Sequence, residues 1–192
     1  MDDIREAVKA AYSAAAENPS AAHPFPTGRQ FAESIGYTTE ALNGIPDECV
    51  AAFAGVSNIS MTAPIPLGSV VLDLGCGSGV DSLIAARRAG PSGRVIGIDF
   101  SAAMLARARD GLAKTGIGNV TFQQADAESL PVADSSVDVA LANGIFNLNP
   151  AREAMFRELA RVVRPGGSVY AAELLLAGPM PEADHTPSDW FA

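Results

Sequence analysis

Cysteine is scarce in this chain, and so is positive charge. Of 192 residues only Cys49 and Cys76 are cysteines. They fall on different elements without metal-ligand spacing, so no disulfide framework or zinc module organises the fold, and a reducing cytoplasm is the expected compartment. Thirteen Lys and Arg stand against 22 Asp and Glu, a net charge of -9. Neutralising phosphates takes a basic face, whereas Arg87, Arg88, Arg107 and Arg109 read as solvated helix faces; nucleic acid is not an expected partner. No run approaches the roughly 18 apolar residues of a membrane span. The opening MDDIREAVKAAYS is acidic and amphipathic where a secretory signal is basic and then apolar. Repeats are absent, and low complexity goes no further than alanine-rich helices. With 48% hydrophobic side chains, a single soluble domain with an ordinary core is expected.

What is present concentrates in one place. Residues 70–79, VVLDLGCGSG, read as a buried strand running into a glycine-rich turn. A parallel strand covered on both faces is near-continuously apolar, and Gly75, Gly77 and Gly79 let the backbone turn sharply and approach a ligand closely. A second apolar run, residues 94–98, ends on Asp99, placed to accept hydrogen bonds from both hydroxyls of a ribose. The pairing points to a nucleoside cofactor. A pyrophosphate fingerprint needs glycine at the sixth position of GxGxxG, where Val80 stands, and Asp73 and Asp81 flank the turn with negative charge. That favours a cationic ligand over two phosphates.

At these residues the chain resembles the class I S-adenosylmethionine-dependent methyltransferases, and further matches follow in order. FQQADA (122–127) closes a third strand, VDVALAN (137–143) is a fourth, and RVVRPGG (161–167) leads into a fifth at 168–174. The resemblance implies an α/β, Rossmann-like doubly wound, mainly parallel sheet, with a helical cap over residues 1–67 and a cofactor-binding core over 68–192. The implied cofactor is S-adenosyl-L-methionine, and the implied site is Asp73, Gly75, Cys76, Gly77, Gly79, Asp99, Phe100, Met104, Asp126, Ala127 and Asn143. Asp126 and Ala127 are the adenine contacts in this scheme. Alternatives stay open at several positions. Asp73 either meets the cofactor's ammonium group or caps the glycine turn; Met104 either touches adenine or is simply buried. Asn143 holds the amino acid end or closes its strand, and Cys76 reads as a small packed residue.

In front of the core, Ile4, Val8, Ala11, Tyr12 and Ala15 recur at helical spacing. A proline-broken connection follows at 18–28, then short helices at 39–43 and 46–54. Together with LANGIFNLNP downstream, this segment resembles the arsenite methyltransferases. Where that family carries one cysteine after the fourth strand and another in a Gly-Cys-Gly-Asn-Pro stretch, this chain has Gly144 and Val56. Thiolates are the ligands that suit a soft centre, so the resemblance supports a small-molecule methyl acceptor without naming it. Arsenite, another metabolite, or cofactor binding without turnover are the readings left standing. Cys49 in the front segment either approaches the acceptor or is packed. A protic acceptor needs a base, for which Glu173 and His23 are candidates against bland readings as a strand-end carboxylate and a loop histidine. Tyr12 either caps the cofactor, as the resemblance implies, or fills its helix face. Five strands can be placed where the family's sheet has seven, and 175–192 carries Pro179, Pro181 and Pro187. A longer parent protein, or a second copy pairing along the strand-five edge, is therefore expected.

Overall fold

The computed structural model describes residues 2–175 and Gly178. Its frame is a five-stranded, all-parallel sheet in the order β3-β2-β1-β4-β5. The strands are β1 (Val70–Leu74), β2 (Arg94–Asp99), β3 (Val120–Gln124), β4 (Val137–Asn143) and β5 (Val163–Ala172). The chain winds outward from β1 through β2 to β3, then crosses back to lay β4 on the other side of β1. That reversal is a topological switch point, where the loops leaving adjacent strands diverge and a crevice opens at the strands' C-terminal ends.

Alternation along each strand feeds two layers. Val71, Val95, Val139 and Leu141 face one way, packing against Leu83, Ile84 and Leu105 of α6 (Val80–Ala89) and α7 (Ala102–Ala113). Leu72, Leu74, Ile96, Ile98 and Ala140 face the other way, onto Met155, Leu159 and Val162 of α8 (Arg152–Val162). The front segment supplies α1 (Asp2–Glu17), α2 (Gly28–Ser34), α3 (Thr39–Asn43), α4 (Asp47–Ala51) and α5 (Ile59–Thr62). It has no separate core: Tyr37, Leu42, Ile45, Cys49, Val50, Phe53 and Ile59 join the α6 and α7 cluster. Helix α6 is consequently buried on almost every side, which explains its run of small residues, Ser82, Ala85, Ala86 and Ala89.

Several boundaries differ from the sequence reading. Strand β3 stops at Gln124, leaving Asp126 and Ala127 in the following loop. Strand β5 starts at Val163, immediately after α8, because residues 164–167 bulge out opposite Asp138 while Val163 pairs with Val137 and Ser168 with Val139. Helices α2 and α5 had no counterpart in the expected pattern. The expectation for the proline-bearing stretch 175–192 falls, apart from Leu175 and Gly178, outside the described residues. No helix among them is long and apolar enough to cross a membrane.

Candidate functional site

The crevice predicted by the topology is present, and strand order sets its layout. Along the C-terminal edge the loop after β3 carries Asp126, the tip of β2 carries Asp99, the turn after β1 carries residues 75–79, and β4 ends on Asn143. At a strand spacing of about 4.8 Å, these stations span about 14 Å.

The glycine turn is tied beneath the end of β2. The amides of Gly75 and Cys76 both donate to Ile98 O, at 2.8 and 2.9 Å. Gly77 has φ +51°, and a Cβ there would meet nothing within 4 Å, so the turn presents bare backbone to open space. Its amide donates to Asp99 Oδ2 at 2.8 Å, while Asp99 Oδ1 accepts from Ser101 N at 2.8 Å. Each carboxylate oxygen keeps acceptor capacity for a further donor. Burial pushes the Asp99 carboxyl up to about 6, against the pull of the Ser101, Gly77 and Phe100 amides.

Two more carboxylates lie beside it. Asp73 is buried in β1 and accepts the Ser82 hydroxyl at 2.5 Å; burial and then the neighbouring Asp81 raise its pKa. Asp81, in the first turn of α6, is raised by burial, against hydrogen bonds that favour its charge. Its Oδ1 accepts from Tyr37 Oη at 2.5 Å and its Oδ2 from Asn143 Nδ2 at 2.8 Å. None of the three forms an ion pair among the described residues. Burial without a basic partner favours the neutral form of these carboxyls, and a cationic ligand beside them would favour the charged one.

The wall is otherwise largely apolar. Ile98, Phe100, Met104 and Ala127 line it towards β3, Leu148 and Pro150 beyond β4, and Phe53, Ala54 and Gly55 enter from the front segment. Helix α1 closes one side with Arg5, Val8 and Tyr12. Tyr12 stacks on Phe25 with centroids 4.5 Å apart, and its hydroxyl is held well above the usual range by burial, then Asp99, then Glu173. Arg5 Nη2 reaches across to Asp126 Oδ1 at 2.6 Å and to Glu128 Oε2 at 3.4 Å.

Of the residues singled out from sequence, Gly75, Cys76, Gly77, Asp99, Phe100, Met104, Asp126, Ala127 and Asn143 meet on this wall. Asp73 and Gly79 stand behind it. Asp73 faces Ser82, and at Gly79 (φ +88°) an added Cβ would press on Phe122 and Ala108, so its role is to let α6 pack closely. Neither base candidate lines the cleft: Glu173 is half-buried with Oε1 accepting Phe146 N at 2.5 Å, and His23 Nε2 pairs with Asn18 O at 2.9 Å. Cys49 lies elsewhere too, with Sγ 3.8 Å from Arg107 O and burial pushing the thiol up to about 12. Sequence reasoning missed Arg5 and Tyr37. Arg5 was discoverable, because 5, 8 and 12 share one helical stripe. Nothing local marks Tyr37.

A buried acceptor at the tip of β2, bare backbone at the turn and an apolar slot toward β3 suit an adenosyl group, and the carboxyls of Asp81 and Asp99, on the wall without a basic partner, suit a cationic one. Fold and cleft together define the Rossmann-like class I methyltransferase type. The sequence agrees: residues 67–189 match the model of a methyltransferase domain family, and the chain belongs to that family, whose cofactor is S-adenosyl-L-methionine. Among curated relatives, the arsenite methyltransferase of Halobacterium salinarum is 37% identical over 150 residues, covering 78% of this chain and 38% of that protein. A ubiquinone/menaquinone biosynthesis C-methyltransferase of Pseudomonas paraeruginosa is 43% identical over 108 residues, 55% of this chain and 42% of its own length. The chain thus spans well under half of these curated relatives. The arsenic(III) S-adenosylmethionine methyltransferase of Chlamydomonas reinhardtii superposes with a TM-score of 0.59 at 31% identity, covering 75% of this chain and 48% of that one.

Proposed function

We propose that this chain forms the cofactor-binding and methyl-transferring part of an S-adenosylmethionine-dependent enzyme acting on a small molecule. The carrying observation is Asp99, a buried carboxylate at the tip of β2, bonded to the bare backbone of Gly77 where the sheet order reverses. In this reading Asp99 takes the ribose hydroxyls, Phe100, Met104 and Ala127 flank the adenine, and Asp126 accepts from its exocyclic amine. The sulfonium then lies toward β4, near Asp81 and Asn143. When bound there, the cofactor supplies an electrophilic methyl group on a good leaving group. The protein's tasks are alignment and exclusion of water, which Val8 and Tyr12 of α1 serve from above and Phe53 from the side.

The acceptor side argues for a small molecule held without a pair of thiolates. Val56 and Gly144, the positions where arsenite methyltransferases are expected to carry cysteines, are neighbours in space: a Cβ on Gly144 would lie 3.0 Å from Val56 Cγ1. The two positions therefore converge as a two-ligand site would require, yet they hold a valine and a glycine. Glu173 and His23 do not line the cleft, which favours an acceptor that needs no general base. The free, buried Cys49 and Cys76 suit work in a reducing cytoplasm. Calorimetry tests the cofactor half. Binding of S-adenosylmethionine and S-adenosylhomocysteine is expected, and no binding of either refutes it. Turnover with arsenite, set against a panel of metabolite thiols, amines and hydroxyls, tests the acceptor half.

A further inference from the structure

The end of β4 carries a hydrogen-bond arrangement that cofactor binding does not by itself explain. Asn143 Oδ1 accepts two amides from the front segment, Val56 N at 2.9 Å and Ser57 N at 3.0 Å. Its Nδ2 donates to Ser57 O at 2.7 Å and to Asp81 Oδ2 at 2.8 Å. One side-chain amide therefore grips both polar faces of the 56–57 backbone, 86 residues away in sequence. The fit leaves no slack: a Cβ on Gly55 would stand 2.5 Å from Asn143 Nδ2. Phe53, Ala54 and Gly55, immediately before the gripped residues, line the cleft at its β4 end. On the reading that adenine lies toward β3, this is the wall the acceptor meets.

An asparagine amide can face either way, and only one orientation puts its oxygen on Val56 N and Ser57 N. Asp81 reinforces that choice, alongside Ser57 O, which also accepts from the NH2. A carboxylate beside Asn143 accepts from the NH2 and repels the oxygen, and Tyr37 Oη lies 2.5 Å from its other oxygen and 3.0 Å from Ser57 O, its single proton serving one of these acceptors at a time. We propose that Asp81 is a positioning residue, which acts through Asn143 to seat the front-segment residues 53–57 as the acceptor wall of the cleft. The proposal rests on the cofactor reading above only for the statement that this wall faces the transferable methyl group.

The decisive test is whether Asp81 acts through Asn143. In Asp81→Leu the Asn143 NH2 loses its carboxylate acceptor, and amide exchange at Val56 and Ser57 is expected to accelerate about tenfold or more, the scale of a lost charge-assisted hydrogen bond. In an Asn143→Ala background the grip on 56 and 57 is already gone, so adding Asp81→Leu is expected to change their exchange by less than about threefold. A second readout is the carbon signal of methyl-13C S-adenosylmethionine at saturation, expected to shift in Asp81→Leu and to shift less than half as much when Asn143 is already alanine, since a direct effect of the lost charge would persist there. Unchanged exchange at Val56 and Ser57 in Asp81→Leu overturns the proposal. So does an equal acceleration by Asp81→Leu with and without Asn143. An unmoved methyl signal, with exchange behaving as expected, removes the link to the acceptor wall. If the parent chain gives no bound-methyl signal, the cofactor reading fails, while the exchange measurements still decide the Asp81–Asn143 device.

Discussion

The two ends of the cleft are built on different principles. Toward β3 and β2 the ligand-facing groups are strand tips and the turn after β1, rigidly continuous with the sheet and separated by short stretches of chain. Toward β4 the wall is a non-helical stretch of the front segment, residues 53–57, clasped by Asn143 and, through it, by Asp81 and Tyr37. The first end depends on backbone geometry and on one strand-end carboxylate, Asp99, held by local amides. The second depends on side chains from distant parts of the sequence, and single substitutions there reshape it. On the proposed reading, such a division lets a cofactor end that keeps Asp99 stand beside an acceptor end where Val56 and Gly144 occupy the positions expected to carry cysteines in arsenite methyltransferases.

The largest expected effect breaks both ends at once. Leu83 is fully buried in α6 between the sheet and the front segment, so Leu83→Ala should destabilise the fold by about 2–5 kcal/mol, read by denaturant unfolding. Asp99→Ala strikes the rigid end only. Losing a charged acceptor for two hydroxyls should weaken cofactor binding by about 1.5–3 kcal/mol, and calorimetry showing equal affinity would remove the ribose role.

Acidity should sharpen the same point. Asp99 has a folded-state pKa of about 6, above the unfolded value near 3.9. The folded protein therefore holds this proton through a range in which the unfolded chain has released it. The group's contribution to stability is greatest below about pH 4 and declines as pH rises toward 6. Ligand binding runs the opposite way, because the ribose donors need the carboxylate. Cofactor affinity should fall about tenfold from pH 7.5 to 5, and in Asp99→Asn the Asp99 contribution to that fall should vanish.

At the other end, Gly144 has φ +79°, and a Cβ added there would lie 3.0 Å from Val56 Cγ1. Gly144→Cys should cost about 1–2 kcal/mol from its left-handed backbone alone, measurable by thermal unfolding. The parent chain should methylate arsenite far more slowly than the roughly 10 per second of a typical enzyme. The smallest effect is expected for Arg5→Ala. Its 2.6 Å pair with Asp126 is solvent-exposed and its contact with the more buried Glu128 is long, at 3.4 Å, so stability should change by less than about 1 kcal/mol. Cofactor affinity should rise slightly as Asp126 becomes free.

How much could be read from sequence follows the same division. Strands β1 and β4 and the placement of Asp99, Phe100 and Met104 were legible because apolar runs, glycines and strand-end acids lie within a few residues of one another. Strand β3 ran too long in that reading because Asp126 continues the motif but not the pairing. The start of β5 was hidden by residues 164–167, whose Arg-Pro-Gly-Gly reads as a turn and is a bulge inside the strand. Tyr37, Asp81 and Asn143 meet across separations of 44 and 62 residues, and no periodicity encodes such a meeting. Arg5 was within reach, since its stripe with Val8 and Tyr12 is visible in the sequence.

A crystal structure of this chain with S-adenosylhomocysteine tests the central claim most directly. Both ribose hydroxyls should lie on the Asp99 carboxylate, the adenine between Met104 and Ala127, and the sulfur should face residues 53–57 beside Asn143. A ligand bound outside this cleft, or with its ribose turned away from Asp99, would contradict the account.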